Sequence, residues 1–212
     1  LATLQNDNEA LIKSYKKLIK NSMFIITYTM VTLFIVSEEL IIILIGEKWS
    51  PSIPLLQILC FVGILYPIHA ININLLLVKG RSDLNLKLSI IKQSFTISIV
   101  ILLSFLGIKM LVVGLVVASF FAFWVNTYYT GKIFRYTGVA QLIDIAPSLF
   151  IGIISGAVTM LVVNLMFLNI YIEFIIKFFG ITVIYLSLSY LFKFPELYEI
   201  VNILKNLLIK IK

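Results

Sequence analysis

The sequence is poor in charge. Asp, Glu, Lys and Arg make up only 13% of its 212 residues, whereas 61% of the residues are hydrophobic. A soluble globular domain has about 25% charged and about 45–50% apolar residues. A chain of this length cannot bury so much apolar surface in its own core, so we expect the excess to face lipid. The composition argues against a soluble enzyme and favours an integral membrane protein.

Residues that commonly carry chemistry are equally scarce. The sequence has one cysteine, Cys60, and one histidine, His69. A single cysteine forms no intrachain disulfide, and one histidine cannot make a metal site. No Ser–His–Asp set, paired catalytic carboxylates or G-x-x-x-x-G-K-[ST] phosphate loop can be assembled from the chain. We therefore predict that the chain is not an enzyme and holds no metal and no cofactor, with Cys60 packing as a small hydrophobe.

Long apolar runs are what the sequence does contain. A membrane-spanning helix needs about 20 mostly apolar residues, and six stretches meet this length. They are residues 21–46, 53–78, 88–106, 108–129, 146–168 and 170–192. The sequence therefore predicts an all-α integral membrane protein with six transmembrane helices in a lipid bilayer.

The distribution of basic residues supports this number of spans. If both ends of the chain are cytoplasmic, only Lys48, Lys109 and Lys177 of the 17 Lys and Arg residues lie on the outer side. The other fourteen, on the cytoplasmic side, are Lys13, Lys16, Lys17, Lys20, Lys79, Arg81, Lys87, Lys92, Lys132, Arg135, Lys193, Lys205, Lys210 and Lys212. Such a bias is typical of cytoplasmic loops. The net charge of +7 is then explained by orientation in the membrane, and we expect no nucleic-acid partner.

The polar segments between the runs divide the chain. We predict a cytoplasmic amphipathic segment over 1–20, a four-helix part over 21–132, a cytoplasmic loop over 133–145, a helix pair over 146–192 and an amphipathic tail over 193–212. Pro147 would lie in the first turn of its helix. In the tail, Leu197, Ile200, Val201 and Leu204 recur at helical spacing. This pattern is typical of a helix that lies along the inner leaflet with its lysines toward anionic headgroups.

Three stretches in order carry a family resemblance: QNDNEALIKSYKK, EELIIILIGEKWSPSIPLLQIL and YPIHAININLLLVKGRSDLNLK. The residues whose order and spacing matter are Leu44, Ile45, Gly46, Trp49, Pro54, Gly80, Arg81 and Asp83. The pattern resembles the C-terminal half of Wzx-type polysaccharide flippases, which belong to the multidrug/oligosaccharidyl-lipid/polysaccharide exporter superfamily. The motifs extend to about Lys132, and beyond that residue only the hydropathy is similar.

The resemblance implies a fold, a partner and a function. The fold would be the second lobe of a 12–14-helix exporter plus two accessory C-terminal helices. Because the chain begins at Leu1 and opens on a polar segment, we expect it to be the C-terminal part of a longer protein, with the N-terminal lobe missing.

The implied function is to translocate undecaprenyl-diphosphate-linked oligosaccharide across the bacterial cytoplasmic (inner) membrane by alternating access. The alternatives are a drug exporter of the same superfamily and a polytopic O-antigen polymerase or ligase. The short outer connections disfavour such an enzyme, because those enzymes resemble one another in bearing a large outer loop.

Polar residues inside the spans are the candidates for substrate binding. The set is His69, Asn72, Arg81, Lys92, Gln93 and Asn126. His69 and Asn72 either line a polar cavity beside Pro67, which would open the helix, or hydrogen-bond a neighbouring helix. The basic loop with Arg81, and Lys92 with Gln93 in the next span, either attract a diphosphate headgroup or serve topology, with Lys92 snorkelling to the headgroups.

Acidic residues inside the apolar runs have a different interpretation. Glu38 and Glu39 would be costly within the hydrocarbon, so we expect the first span to end near Ser37, with both carboxylates wet at the outer interface. A proton-coupling role for them is the open alternative. Glu173 and Lys177 are four residues apart and predict a local ion pair on one helix face.

Overall fold

The computed structural model describes residues 8–166 and 168–211. The helices within these residues are α1 Asn8–Ile35, α2 Ser37–Leu44, α3 Ile53–Val78, α4 Ser82–Ser104, α5 Ile108–Phe134, α6 Gly138–Asn164, α7 Ile170–Leu191 and α8 Pro195–Ile211. A short 3₁₀ helix, Glu47–Ser52, joins α2 to α3. Six helices (α1 and α3 to α7) are long and apolar enough to cross a membrane, and no strand occurs among the described residues. The predicted all-α membrane fold with six spans is confirmed.

The observed helix ends agree best with the predicted ones where a proline or a glycine flanks the apolar run. The bounds of α3 are those predicted, with Pro54 in its first turn, where the absent N–H of proline is not needed. Pro67 lies inside α3 without ending it. Between α4 and α5, Gly107 adopts a φ of +97°, a conformation that glycine reaches without steric cost.

Two helices extend further than the hydropathy indicates. The described part of the predicted segment 1–20 is the start of α1 rather than a separate helix, and Leu11, Tyr15 and Ile19 there are buried in the main core. The predicted loop 133–145 is mostly helix, because α6 begins at Gly138. Pro147 therefore lies within α6 and not in its first turn.

Polar contacts explain both extensions. Asp144, on α6, forms an ion pair of 2.9 Å with Lys20 of α1 and accepts a 2.7 Å hydrogen bond from the hydroxyl of Tyr136. Burial, followed by this hydrogen bond to a carboxylate, raises the pKa of Tyr136. The turn between α5 and α6 is short. In it the Thr137 side chain caps α6 by accepting a hydrogen bond from the amide of Ala140.

Helix α1 lies between α3 on one side and α6 on the other, α5 packs on α3, and α4 packs mainly on α5. The contact of α1 with α6 uses small residues. A Cβ atom added at Gly152 would lie 2.5 Å from Thr27 Cγ2, and one at Gly156 would lie 2.8 Å from Ile35 Cδ1. Small residues of this kind let membrane helices approach closely. Cys60, on α3, is buried as predicted.

The tail is helical as predicted, and part of it docks on the bundle. Leu197 and Ile200 of α8 pack against the cluster of Phe24, Ile151 and Tyr185. Glu199, which the helical pattern assigns to the polar face, pairs with Lys17 at 2.9 Å and accepts a 2.7 Å hydrogen bond from Asn21. Burial would raise the pKa of Glu199, but these two partners on α1 outweigh it and lower that pKa. The orientation of α8 on a membrane surface stays a prediction.

Candidate functional site

A chain of polar side chains crosses the helix bundle within its apolar spans. Lys92 of α4 donates through Nζ to Asn126 Oδ1 at 2.9 Å. Asn126 of α5 contacts His69 of α3, with 3.3 Å between Nδ2 and Nδ1, and the other ring nitrogen of His69 lies 3.1 Å from Ser119 Oγ. Three helices are therefore joined by four polar residues.

The Lys92 ammonium at one end of this chain determines which ring nitrogen of His69 carries the hydrogen. Because the ammonium of Lys92 only donates, the Asn126 oxygen faces it and the Asn126 amide nitrogen faces the imidazole. His69 Nδ1 must then accept, so Nε2 carries the hydrogen and donates to Ser119. The imidazole is neutral and both of its nitrogens are satisfied by α5. Of the two alternatives for His69, the hydrogen bonds are those expected for a histidine bonded to a neighbouring helix.

A second set of hydrogen bonds continues this chain toward α6. Asn72 donates to Gln141 Oε1 at 3.0 Å, and Gln141 donates back to Asn72 Oδ1 at 3.1 Å. The hydroxyl of Thr130 lies 2.6 Å from Asn72 Oδ1 and 2.9 Å from the backbone oxygen of Asn126, and so links the two sets. Asn72, Thr130 and Gln141 are fully buried. In this set Asn72, Thr130 and Gln141 join α3, α5 and α6.

The structure brings together four of the six predicted site residues: His69, Asn72, Lys92 and Asn126. Gln93 is exposed, because successive helical residues point about 100° apart and only Lys92 faces α5. A role in binding substrate stays a prediction for all six residues.

Arg81 belongs to a different part of the molecule. It lies in the turn before α4, roughly 16 Å along the axis from Lys92, and its guanidinium binds the carboxylate of Asp83 through two contacts of 3.1 and 3.0 Å. The hydrogen bond to Asp83, and then its charge, raise the pKa of Arg81. Both residues are exposed, so Arg81 stands apart from the buried network.

Sequence reasoning missed Ser119, Thr130 and Gln141. The only signal for them was their polarity within or beside apolar runs. Gln141 in particular fell in the predicted loop 133–145, whereas it lies one turn into α6.

The ammonium of Lys92 can attract a negatively charged group. Lys92 is half-buried, and among the residues that the structure describes it forms no ion pair. Its charge is met by the amide oxygen of Asn126, which leaves donor capacity on the ammonium. Across the described ranges, no group of three His, Cys, Asp or Glu residues could hold a metal ion. The free donor capacity of the ammonium is what this arrangement offers to an anion.

A separate charged cluster lies toward the opposite end of the bundle. Lys177 of α7 contacts Glu39 of α2 at 2.5 Å and Glu173 at 2.7 Å. The predicted pair of Glu173 and Lys177 is confirmed. The first span ends near Ser37 as predicted, and Glu38 is exposed, but Glu39 is 1% exposed. The expectation that Glu39 is wet is therefore wrong, because a lysine 138 positions away compensates its charge.

Comparison with known proteins gives a partial match. Residues 1–54 match a family model described as "Polysaccharide biosynthesis protein". The chain is 32% identical over 101 residues to the lipopolysaccharide biosynthesis protein WzxC of Escherichia coli (strain K12), a match covering 48% of this chain and 20% of that protein. It is 27% identical over 92 residues to an uncharacterized membrane protein in the cps region of Klebsiella pneumoniae, covering 43% and 19%. No solved structure matches.

These matches confirm the resemblance to Wzx-type proteins that the three sequence stretches carry. The matched region spans about a fifth of the length of the curated relatives.

Proposed function

We propose, from the similarity of this multi-pass membrane chain to Wzx-type polysaccharide biosynthesis proteins, that it is the C-terminal part of a polysaccharide flippase. It would form the second lobe and two accessory helices, and the N-terminal lobe would precede it. The complete protein would carry undecaprenyl-diphosphate-linked oligosaccharide across the bacterial cytoplasmic membrane by alternating access. The observation that carries this proposal is Lys92, a lysine within an apolar span whose charge is met, among the described residues, by an amide oxygen and by no carboxylate.

A diphosphate headgroup suits such a lysine. Ionisable groups within membrane spans are costly and tend to face a cavity or a substrate path. Ammonium groups form strong, charge-assisted hydrogen bonds with phosphate oxygens. Helix α4 packs mainly on α5, and most of its surface is uncovered. Lys92 faces α5 but is only half-buried, and we infer that the edge where α4 meets α5 borders the path between the two lobes.

The positions of the basic residues would determine which end of α4 lies at the cytoplasmic side. With both ends of the chain cytoplasmic, the turn with Lys79 and Arg81 and the turn with Arg135 lie where a lipid-linked substrate is made. Arg81 is already engaged by Asp83, so its first role in this scheme is orientation rather than binding. Lys92 lies about three turns deeper along α4 and is the better candidate for the headgroup.

The connections at the opposite end favour transport over polymerisation. Among the described residues, α2 reaches α3 through a single short 3₁₀ helix, and α4 reaches α5 within a few residues around Gly107. Neither connection is long enough to form the large outer loop by which polysaccharide polymerases and ligases resemble one another. A drug exporter of the same superfamily would be separated from a flippase by its phenotype, because its deletion changes drug resistance rather than glycan display.

The test uses the full-length gene in a strain that lacks its polysaccharide flippase. We expect the gene to restore surface polysaccharide, and Lys92→Met to lower that display by roughly 10- to 100-fold, because a hydrogen bond to a charged group contributes about 1.5–3 kcal/mol. Lys92→Arg, which keeps the charge, should retain part of the activity.

Lys87→Met is the matched control, since Lys87 is an exposed lysine on the same helix. Absence of complementation by a normally expressed wild-type protein would overturn the flippase proposal. Wild-type display by Lys92→Met would overturn the role of the lysine.

A further inference from the structure

An apolar groove, called here the α3–α6 groove, lies between α3 and α6 with α1 as its floor. It is lined by residues of α1, α3, α5 and α6, among them Met30, Val31, Phe34, Ile64, Phe120 and Leu149. Its volume is about 390 Å³, within the range of about 300–1,000 Å³ that is usual for ligand pockets. Helix α4 contributes no lining residue among those that the structure describes, so the groove does not include Lys92.

The groove runs along most of the length of α6. Near one end of that helix, Asn72 of α3 and Gln141 exchange two hydrogen bonds and hold α3 and α6 together. From Leu142 to Met160, side chains of α6 line the groove over roughly 27 Å of the helix axis. The rim is open, since Ile153 there is 63% exposed. The groove is thus a long channel that opens on the side of the bundle.

The groove lies at the depth of the hydrocarbon core of the membrane. Its lining residues belong to the apolar spans, and none of those described is charged. Thr27 is the one residue among them with a hydroxyl group, and its oxygen atom is buried. The surface offered to a ligand is therefore almost entirely carbon and sulfur, and a polar ligand would lose its hydrogen bonds there. The chemistry of the lining favours a hydrocarbon.

The dimensions of the groove restrict the kind of hydrocarbon. Folded proteins leave few voids larger than a water molecule, because the atoms that line a void lose packing contacts. We therefore expect the groove to be filled. A helix with its side chains is about 10–12 Å across, whereas 390 Å³ spread along this groove leaves a much narrower channel. A single flexible chain of methylene groups fits such a channel, and a helix of another lobe does not.

We propose that the α3–α6 groove binds one acyl chain of a membrane phospholipid, which completes the packing between α3 and α6. Such chains make up the bilayer core of about 30 Å and surround the open rim. The isoprenoid chain of a lipid-linked oligosaccharide is a different hydrocarbon, and its diphosphate would bind at Lys92 on α4, away from the groove. The inference does not rest on the proposed transport function, because occupancy by phospholipid is measured without substrate.

The test is photo-crosslinking of the full-length protein in lipid nanodiscs that contain a phospholipid with a diazirine in its acyl chain. Peptide mass spectrometry then assigns the labelled residues. We expect labelling of Met30, Val31 and Phe34 on the floor of the groove. Ile25 and Thr29 are exposed on α1 outside the groove, so any surrounding lipid should label them and they calibrate the yield.

Two alanines of α6 separate binding in the groove from general contact with lipid. Both are exposed, but Ala157 lines the groove and Ala146 does not. Ala157→Phe should lower floor labelling, relative to Ile25, by roughly 10-fold, as expected when two methylene groups of the bound chain lose their burial. Ala157→Leu, with a smaller side chain, should lower it less. Ala146→Phe should leave it unchanged.

Absence of floor labelling in the wild type, with Ile25 labelled normally, would overturn the proposal and would indicate that protein covers the groove. Equal floor labelling in Ala157→Phe and Ala146→Phe would also overturn it. Undecaprenyl phosphate added at a few mole per cent should not reduce floor labelling. A strong reduction would contradict the assignment to phospholipid and would identify an isoprenoid chain as the occupant.

Discussion

Asn72 offers the most informative single substitution in the buried network. In Asn72→Ala three interhelical hydrogen bonds disappear: two with Gln141 and one with Thr130. Interhelical hydrogen bonds in membrane proteins contribute about 0.6 kcal/mol each on average. The sum predicts a loss of about 2 kcal/mol in the free energy of unfolding, or roughly 30-fold in the unfolding equilibrium.

Reversible unfolding by SDS in mixed micelles measures this difference. Asn74→Ala is the matched control, because Asn74 is the same residue type two positions along α3 but is exposed. Its free energy of unfolding should stay within about 0.5 kcal/mol of wild type. A double-mutant cycle with Gln141→Ala should give a coupling of about 1 kcal/mol, since both singles remove the same pair of bonds. Equal stabilities of Asn72→Ala and Asn74→Ala would refute the claim that this network holds α3, α5 and α6 together.

Two further predictions concern helix docking. Gly152→Ala should destabilise the contact of α1 with α6 by about 1–3 kcal/mol in the same unfolding assay, because the new methyl would lie 2.5 Å from Thr27 Cγ2. Gly180→Ala, whose methyl would be in ordinary contact at 3.4 Å, is the control, and equal losses would contradict the packing argument. The pKa of Glu199 is lowered by its partners on α1, so its stabilisation of α8 is full above the ordinary glutamate value of about 4.3 and is lost as the pH falls through the lowered one. The protection factors of the α8 amides, which correct for the intrinsic effect of pH on exchange, should therefore fall at acid pH. In Glu199→Gln they should be low already at neutral pH and show no such step.

The parts of the fold that follow from the sequence are those governed by local hydropathy. The bounds of α3, with Pro54 in its first turn, and the start of α7 at Ile170 follow from the apolar runs. The thickness of the bilayer sets the length of such runs. The early start of α6 could not be predicted in this way. It depends on Asp144 meeting Lys20 and Tyr136, and hydropathy contains no information on partners so distant in sequence.

The same limit applies to the sites. His69, Lys92 and Asn126 were recognisable because polar residues in apolar spans are rare. Which of them touch depends on the rotation of each helix, and for this reason Gln93 falls outside the network while Ser119 falls inside it. Glu39 was misjudged for a related reason, since its burial is tolerable only through Lys177 on another helix.

Topology mapping on intact cells tests the central claim, that six spans gather the basic turns on the cytoplasmic face. With the buried Cys60 replaced by alanine, single cysteines at the exposed positions Ser50 and Ser82 report the two ends of the bundle. We predict that a membrane-impermeant maleimide labels Ser50→Cys directly and Ser82→Cys only after the membrane is permeabilised. Labelling of Ser82→Cys in intact cells, with Ser50→Cys protected, would contradict the account.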